Sequence, residues 1–220
     1  MEKRCFIAGA GEYTGLVFPG VGYYIIAADG GYEQLVSRNI APDLVVGDFD
    51  SLDWTPDHPH MIHVRAEKDD TDMMLAVREG LARGHHTFII DGGMEGRLDH
   101  TIANLQILVY LAGKGARGVL LGRGMCATAV VNGSIRFEPG RIDSAAARRG
   151  GISVFCAGET AVGVTLTGLK YPLNDATITG AYPIGVSNEF TGAPAVISVR
   201  KGALLVTWSG GPELLDKNEE

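Results

Sequence analysis

The sequence has few cysteines, no long apolar run and no excess of positive charge. Cys5, Cys126 and Cys156 are odd in number and show no CxxC spacing, which argues against both a disulfide framework and a zinc cluster. Reduced thiols in a cytoplasmic protein are the simplest reading. No apolar stretch approaches the ~20 residues that a membrane span needs. The start, "MEKRCFIAGAGEYTG", passes from a short apolar run into a glycine-rich turn rather than an h-region with a cleavage site, so no signal peptide is expected. Against 26 Asp and Glu stand 19 Lys and Arg, a formal net charge of −7. No basic stripe is left to neutralise polynucleotide phosphates, so nucleic acid is not expected as a partner. A small phosphorylated ligand bridged by a divalent cation is compatible with that charge. No GxxxxGK[ST] occurs, which removes the P-loop class, and "GAGEYTG" (9–15) is not a faithful GxGxxG.

The chain's 220 residues allow one compact unit or two of roughly 100 residues each. The first half alternates β-rich runs with helical stretches. "RCFIAG" (4–9), "YYIIAADGG" (23–31), "PDLVVGDFD" (42–50), "HMIHV" (60–64), "TFIIDGG" (87–93) and "GVLLGRG" (118–124) have strand character. Helical patterns lie in "YEQLVSRNI", "KDDTDMMLAVREGLARG" and "RLDHTIANLQILVYLAGKG". This alternation predicts an α/β domain over 1–125 with an open, mostly parallel sheet covered on both faces. Met73/Val77/Leu81 and Leu98/Ile102/Leu105 read as core stripes. After about residue 126 the pattern is all-β, with hairpins expected at Asn132-Gly133 and Lys201-Gly202. A β-sandwich over 126–220 is the expectation, with one helix possible in "RIDSAAARRG". Trp208 reads as core.

In an open parallel sheet, ligands sit at the carboxyl ends of the strands. Asp29 follows one predicted strand, Asp48 and Asp50 the next. Asp69, Asp70 and Asp72 follow a third, and Asp91 with Asp99 a fourth. Helix capping explains any one of these residues. It does not explain "DFD" and "DDTD", which supply more carboxylates than a cap uses. Carboxylates so crowded repel unless a cation lies between them, and Mg²⁺ joins one or two carboxylates to substrate phosphates. Glycines accompany the acids in "GAG" (9–11), "DGG" (29–31), "DGG" (91–93) and at Gly96, where bare backbone approaches a phosphate. Arg97 and Lys68 are the cations placed near phosphate, a solvated surface charge being the alternative reading of each. His58, His60 and His63 flank Pro59 at a turn entering a strand, which splays them, so a metal site there is not expected.

The ordered set "ADGG" (28–31), "GDFDS" (47–51), "KDDTD" (68–72), "GRLDH" (96–100) and "SNEF" (187–190) resembles the thiamine pyrophosphokinase family, over nearly the whole chain. The resemblance implies an α/β nucleotide-binding domain joined to a β-sandwich, in a homodimer with thiamine bound between domains of different subunits. It implies Mg²⁺-dependent transfer of the terminal diphosphate of ATP to the hydroxyethyl group of thiamine, releasing AMP. Carried over by motif, Asp48, Asp70, Asp72 and Asp99 are metal and catalytic residues, with Arg97 a catalytic donor. The ATP residues would be Gly9, Gly11, Asp29, Gly30, Gly31, Asp50, Ser51, Lys68, Asp69, Thr71, Gly92 and Gly93. Ser187, Asn188, Glu189 and Phe190 would contact thiamine, Phe190 by stacking on the pyrimidine ring. Two features depart from the family: Met94 and Glu95 stand where a tighter glycine-rich approach is expected, and some relatives have tryptophan at Phe190.

Displacement at phosphorus needs positioning and charge neutralisation more than covalent catalysis. Asp99 is the candidate to orient or deprotonate the acceptor hydroxyl, with His100 as the alternative base. Two other readings keep the fold. One is a metal-dependent kinase of another small alcohol. The other is a non-catalytic nucleotide or thiamine diphosphate sensor, which would not need every acidic motif position filled.

Overall fold

Apolar residues run in short blocks through the first half, and each block forms a strand, buried on both faces in all but the edge strand Met61–His63. In the computed structural model, residues 3–49, 54, 56–64, 70–138 and 151–214 are described. Asp50, Ser51, Lys68, Asp69 and the stretch "RIDSAAARRG" (141–150) lie outside the described residues. The chain divides into two compact units, Met1–Ile107 with Gly115–Arg123, and Leu108–Lys114 with Gly124–Glu220.

In the first unit the strands are β1 (Arg4–Ala8), β2 (Tyr23–Ala28), β3 (Leu44–Gly47), β4 (Met61–His63), β5 (Thr87–Asp91) and β6 (Arg117–Gly122). Their order is β6-β5-β1-β2-β3-β4, and every pairing among them is parallel. The helices α1 (Gly31–Val36), α2 (Asp72–Ala82) and α3 (Leu98–Gly113) occupy crossover connections, as parallel neighbours require. From β1 the chain winds outward to β4, then returns to the other side of β1 at β5. The order therefore reverses between β1 and β5, the point where an open α/β sheet receives its ligand.

In the second unit, β7 (Met125–Val131), β14 (Ala203–Ser209), β9 (Gly151–Cys156) and β12 (Asn188–Glu189) pair antiparallel in the order β12-β9-β14-β7. The sheet content is therefore mixed, parallel in the first unit and antiparallel in the second. A second, antiparallel sheet has the order β11-β10-β13-β8. Its strands are β8 (Ser134–Phe137), β10 (Thr160–Thr167), β11 (Leu173–Thr179) and β13 (Ala195–Ser198).

Neither expected hairpin forms. β7 and β8 flank Asn132-Gly133 but lie in different sheets, and so do β13 and β14 around Lys201-Gly202. Instead β7 pairs with β14 and β8 with β13, so a two-stranded ribbon bends as a unit and each half joins its own sheet. The bend is fastened where Asn132 N–H donates to Gly202 O at 3.1 Å and Gly202 N–H donates to Asn132 Oδ1 at 2.9 Å. Asn132 and Gly202 both have positive φ, 48° and 117°. The turn residues signalled a reversal of direction but did not specify the pairing partner.

The helices correct the stripe assignments. On α2 the buried side is Met73, Ala76, Val77 and Gly80, shifted from the stripe drawn through Leu81. A Cβ at Gly80 would lie 2.6 Å from the Phe88 ring, so the helix approaches β5 closely because that position is glycine. On α3, Leu98 and Ile102 are 72% and 50% exposed. The buried side runs through Asn104, Ile107, Leu108 and Leu111. This helix is apolar on several sides, so the pattern of aliphatics does not by itself single out the buried one. In the second unit Trp208 is core: it is 1% exposed, meets Phe137 edge-on at 5.2 Å and donates its indole N–H to Gly211 O at 3.0 Å.

Candidate active site

Two glycine segments meet at the reversal point. Gly9 N–H donates to Asp91 O at 2.8 Å, and Gly11 N–H donates to Gly92 O at 2.9 Å. A Cβ on Gly9 or Gly11 would sit 2.6 or 2.7 Å from Gly92 O, and Gly92 itself has φ +71°. Only bare backbone fits, so this corner of the sheet presents amides without side chains. Gly31, buried at the start of α1, is equally constrained: its Cβ would lie 2.0 Å from Ala8 O.

Around this corner lies a cleft of about 470 Å³. Of the residues expected to act, Gly9, Gly11, Asp29, Asp48, Thr71, Asp72, Gly92, Gly93 and Arg97 line it, together with the alternative base His100. Asp29 stands at the end of β2 with φ 50°, Asp48 follows β3, and Asp72 opens α2. Three separate elements thus deliver carboxylates to one cavity. Thr71 is also the N-cap of α2, its Oγ1 accepting from Met74 N–H at 3.1 Å. Gly30 caps α1 without a side-chain bond.

The other expected acids have different engagements. The Asp70 carboxylate takes the Arg78 guanidinium at 2.6 Å. Asp99 pairs with Arg97 at 2.6 Å, both side chains exposed. The hydrogen bond from Arg97 holds the Asp99 carboxyl below the usual carboxylate range and raises Arg97 in return. Among the described residues no three His, Cys, Asp or Glu side chains group closely enough to hold a metal ion. The donors that do face the cleft are hard oxygens beside bare amides. That set fits a Mg²⁺ ion taking one or two carboxylates from protein and the rest of its shell from phosphate and water. His58 is engaged locally, its ring nitrogens meeting His60 O and Pro42 O.

Sequence reasoning missed several residues here. Asn104, buried on α3, donates to Gly93 O at 2.7 Å and lines the cleft; an amide within the apolar stretch of a helix was the signal. Glu95 accepts from Arg123 N–H, while Met94 packs where Gly122 has no side chain. The departure "ME" at 94–95 is thereby accommodated by a glycine elsewhere.

In the second unit, Ser187 has φ 59° and its N–H donates to Ser153 Oγ at 3.1 Å. Asn188 is buried. Its amide brackets Tyr171, accepting from Tyr171 N–H at 3.0 Å and donating to Tyr171 O at 2.7 Å. Glu189 pairs with Lys170 at 2.8 Å. Phe190 is 8% exposed and tilts against Phe137 at 5.6 Å, so in this unit its ring is core rather than the open platform expected. Tyr171, 57% exposed, is the open aromatic ring fastened to the motif.

Carboxylates and side-chain-free backbone converge on a cleft at the switch point, the place where α/β enzymes of this architecture take their ligands. Two family models match the chain: "Thiamin pyrophosphokinase, catalytic domain" over residues 22–120 and "Thiamin pyrophosphokinase, vitamin B1 binding domain" over residues 141–204. The thiamine pyrophosphokinase of Bacillus subtilis (strain 168) is 31% identical over 188 residues, covering 82% of this chain and 85% of that relative. A crystal structure of thiamine pyrophosphokinase from Bacillus subtilis superposes with a TM-score of 0.81 at 26% identity, covering 94% of this chain and 99% of that one. One from Geobacillus thermodenitrificans gives 0.78 at 26% identity, covering 96% and 100%. The chain belongs to the thiamine pyrophosphokinase family.

Proposed function

We propose that the chain transfers the β,γ-diphosphate of ATP to the hydroxyethyl group of thiamine, giving thiamine diphosphate and AMP. The observation that carries this reading is the cleft between β1 and β5, lined by Asp29, Asp48 and Asp72 together with the side-chain-free backbone of Gly9, Gly11 and Gly92. Residues 1–125 are the ATP and Mg²⁺ domain and 126–220 the thiamine domain, working in a cytoplasmic homodimer. Asp50, Ser51, Lys68 and Asp69 complete the nucleotide set, and Ser187, Asn188, Glu189 and Phe190 the thiamine set, with Phe190 supporting its strand from the core. No helix among the described residues is long and apolar enough to cross a membrane.

Asp48 and Asp72 would hold Mg²⁺, and Asp70 and Asp99 would join them once released from Arg78 and Arg97. When bound, the ion neutralises phosphate oxygens and stabilises charge developing in the transition state. The side-chain-free backbone at Gly9, Gly11 and Gly92 lets the phosphates approach closely, and Arg97 adds a charged donor once its pair with Asp99 opens. The thiamine hydroxyl oxygen then attacks the β-phosphorus, the bond to the α-phosphate oxygen breaks, and AMP leaves. Asp99 receives or orients the hydroxyl proton; a loose transition state asks little of the base. Incubation with ATP, Mg²⁺ and thiamine should yield AMP and thiamine diphosphate. ADP as the product would point to an ordinary kinase, and no product to a sensor.

A further inference from the structure

We infer that Asp91, which belongs to neither the substrate nor the metal set above, is a positioning residue that holds the loop after β1 in the shape the nucleotide phosphates require. The inference rests on the ATP reading of the cleft.

Asp91 ends β5 and is 0% exposed. Its Oδ1 accepts the N–H groups of Thr14 at 2.9 Å and of Gly92 at 2.8 Å, and its Oδ2 accepts the Thr14 hydroxyl at 2.9 Å. Thr14 lies six residues beyond the end of β1, so the bond spans the loop. With Gly9 N–H on Asp91 O and Gly11 N–H on Gly92 O, the segment from 9 to 14 is fastened to the end of β5 at both its limits. Gly9, Gly11 and Gly92, the side-chain-free backbone of the cleft, all lie within that fastened region.

Burying a carboxylate is unfavourable unless donors replace its water. Burial raises the Asp91 pKa, and the bonds from Thr14 and Gly92 oppose that rise. A strand end has no need of such a charge, whereas a loop without regular hydrogen bonding does need a multivalent acceptor. Asp91 does not line the cleft, so its effect passes through Thr14 and Gly92. A loop already fixed in shape is spared an ordering cost when the ligand binds.

The test compares the full chain with Asp91→Asn, Thr14→Val and Thr14→Ser, by hydrogen–deuterium exchange without ligand and by steady-state kinetics. An amide at 91 turns a donor toward Thr14, valine removes only the hydroxyl, and serine keeps it. In Asp91→Asn, exchange over residues 10–16 should quicken and the KM for ATP rise by about tenfold, the effect of one or two lost charge-assisted bonds. The KM for thiamine should stay within about twofold, because the loop grips only the nucleotide. Thr14→Val should move both readouts the same way by a smaller factor, and Thr14→Ser should restore them. Unchanged exchange and unchanged KM for ATP in Thr14→Val and in any folded Asp91→Asn would overturn the role. Equal rises in both KM values, with faster exchange throughout the chain, would overturn it in favour of general structural support. A wild-type chain that binds no ATP, while Asp91 still governs exchange at 10–16, would instead remove the nucleotide reading and leave only the tether.

Discussion

Asp72 and Asp70 stand two residues apart and meet different fates. Asp72, in the first turn of α2, lines the cleft, whereas Asp70 is drawn back by Arg78, eight residues along. A one-residue change of direction at the helix start separates a cleft acid from a surface ion pair, and exposed pairs of that kind add little stability. Asp72→Asn should therefore lower turnover by about two to three orders of magnitude while leaving the melting temperature near wild type. Initial rates and a thermal melt check it, and wild-type turnover in the variant would remove Asp72 from the metal set. Not every residue with a notable environment belongs to the chemistry. Cys5 is buried and burial pushes its thiol up to about 12, which leaves it inert at neutral pH.

α2 packs as closely as it does because Gly80 has no side chain. Alanine is the better helix former by roughly 1 kcal/mol, yet its methyl would meet the Phe88 ring at 2.6 Å and Cys5 Sγ at 3.2 Å. Overpacking wins, and Gly80→Ala should destabilise the fold by about 1–3 kcal/mol, read as a drop in denaturation midpoint. Just after β12, Phe190→Ala should cost about 3–5 kcal/mol through the cavity left beside Phe137, again by denaturant titration. A loss confined to thiamine affinity, with stability intact, would restore the stacking role the motif suggested. Strands were legible in the sequence where burial on both faces made the apolar run continuous, as in "YYIIAA" and "TFIID". Helix faces were less so. α3 carries apolar residues all round, and periodicity alone did not decide between the side of Leu98 and Ile102 and that of Ile107 and Leu111. The hairpin signals failed because turn chemistry sets a change of direction, while the choice of partner strand depends on contacts distant in sequence.

For the molecule as a whole, the switch point between β1 and β5 does most to place function. It follows from strand order, which no local pattern reveals, though the acidic motifs marked the same edge from the sequence side. Asp29, Asp48 and Asp72 were legible as a group because each follows a strand. Asp99 and Phe190 were placed by motif, and the structure gives them a partner on the surface and a seat in the core. The homodimer proposed above leaves the nucleotide cleft entirely within the first unit, so ATP should bind before and without thiamine. Titrating Mg²⁺ and a non-hydrolysable ATP analogue into the isotope-labelled chain, in the absence of thiamine, tests this most directly. Saturable amide shifts should concentrate at Gly9, Gly11, Gly92 and Gly93 and weaken when Mg²⁺ is withheld. Shifts confined to the second unit, or spread without saturation over both, would contradict a magnesium–nucleotide site at this edge of the sheet.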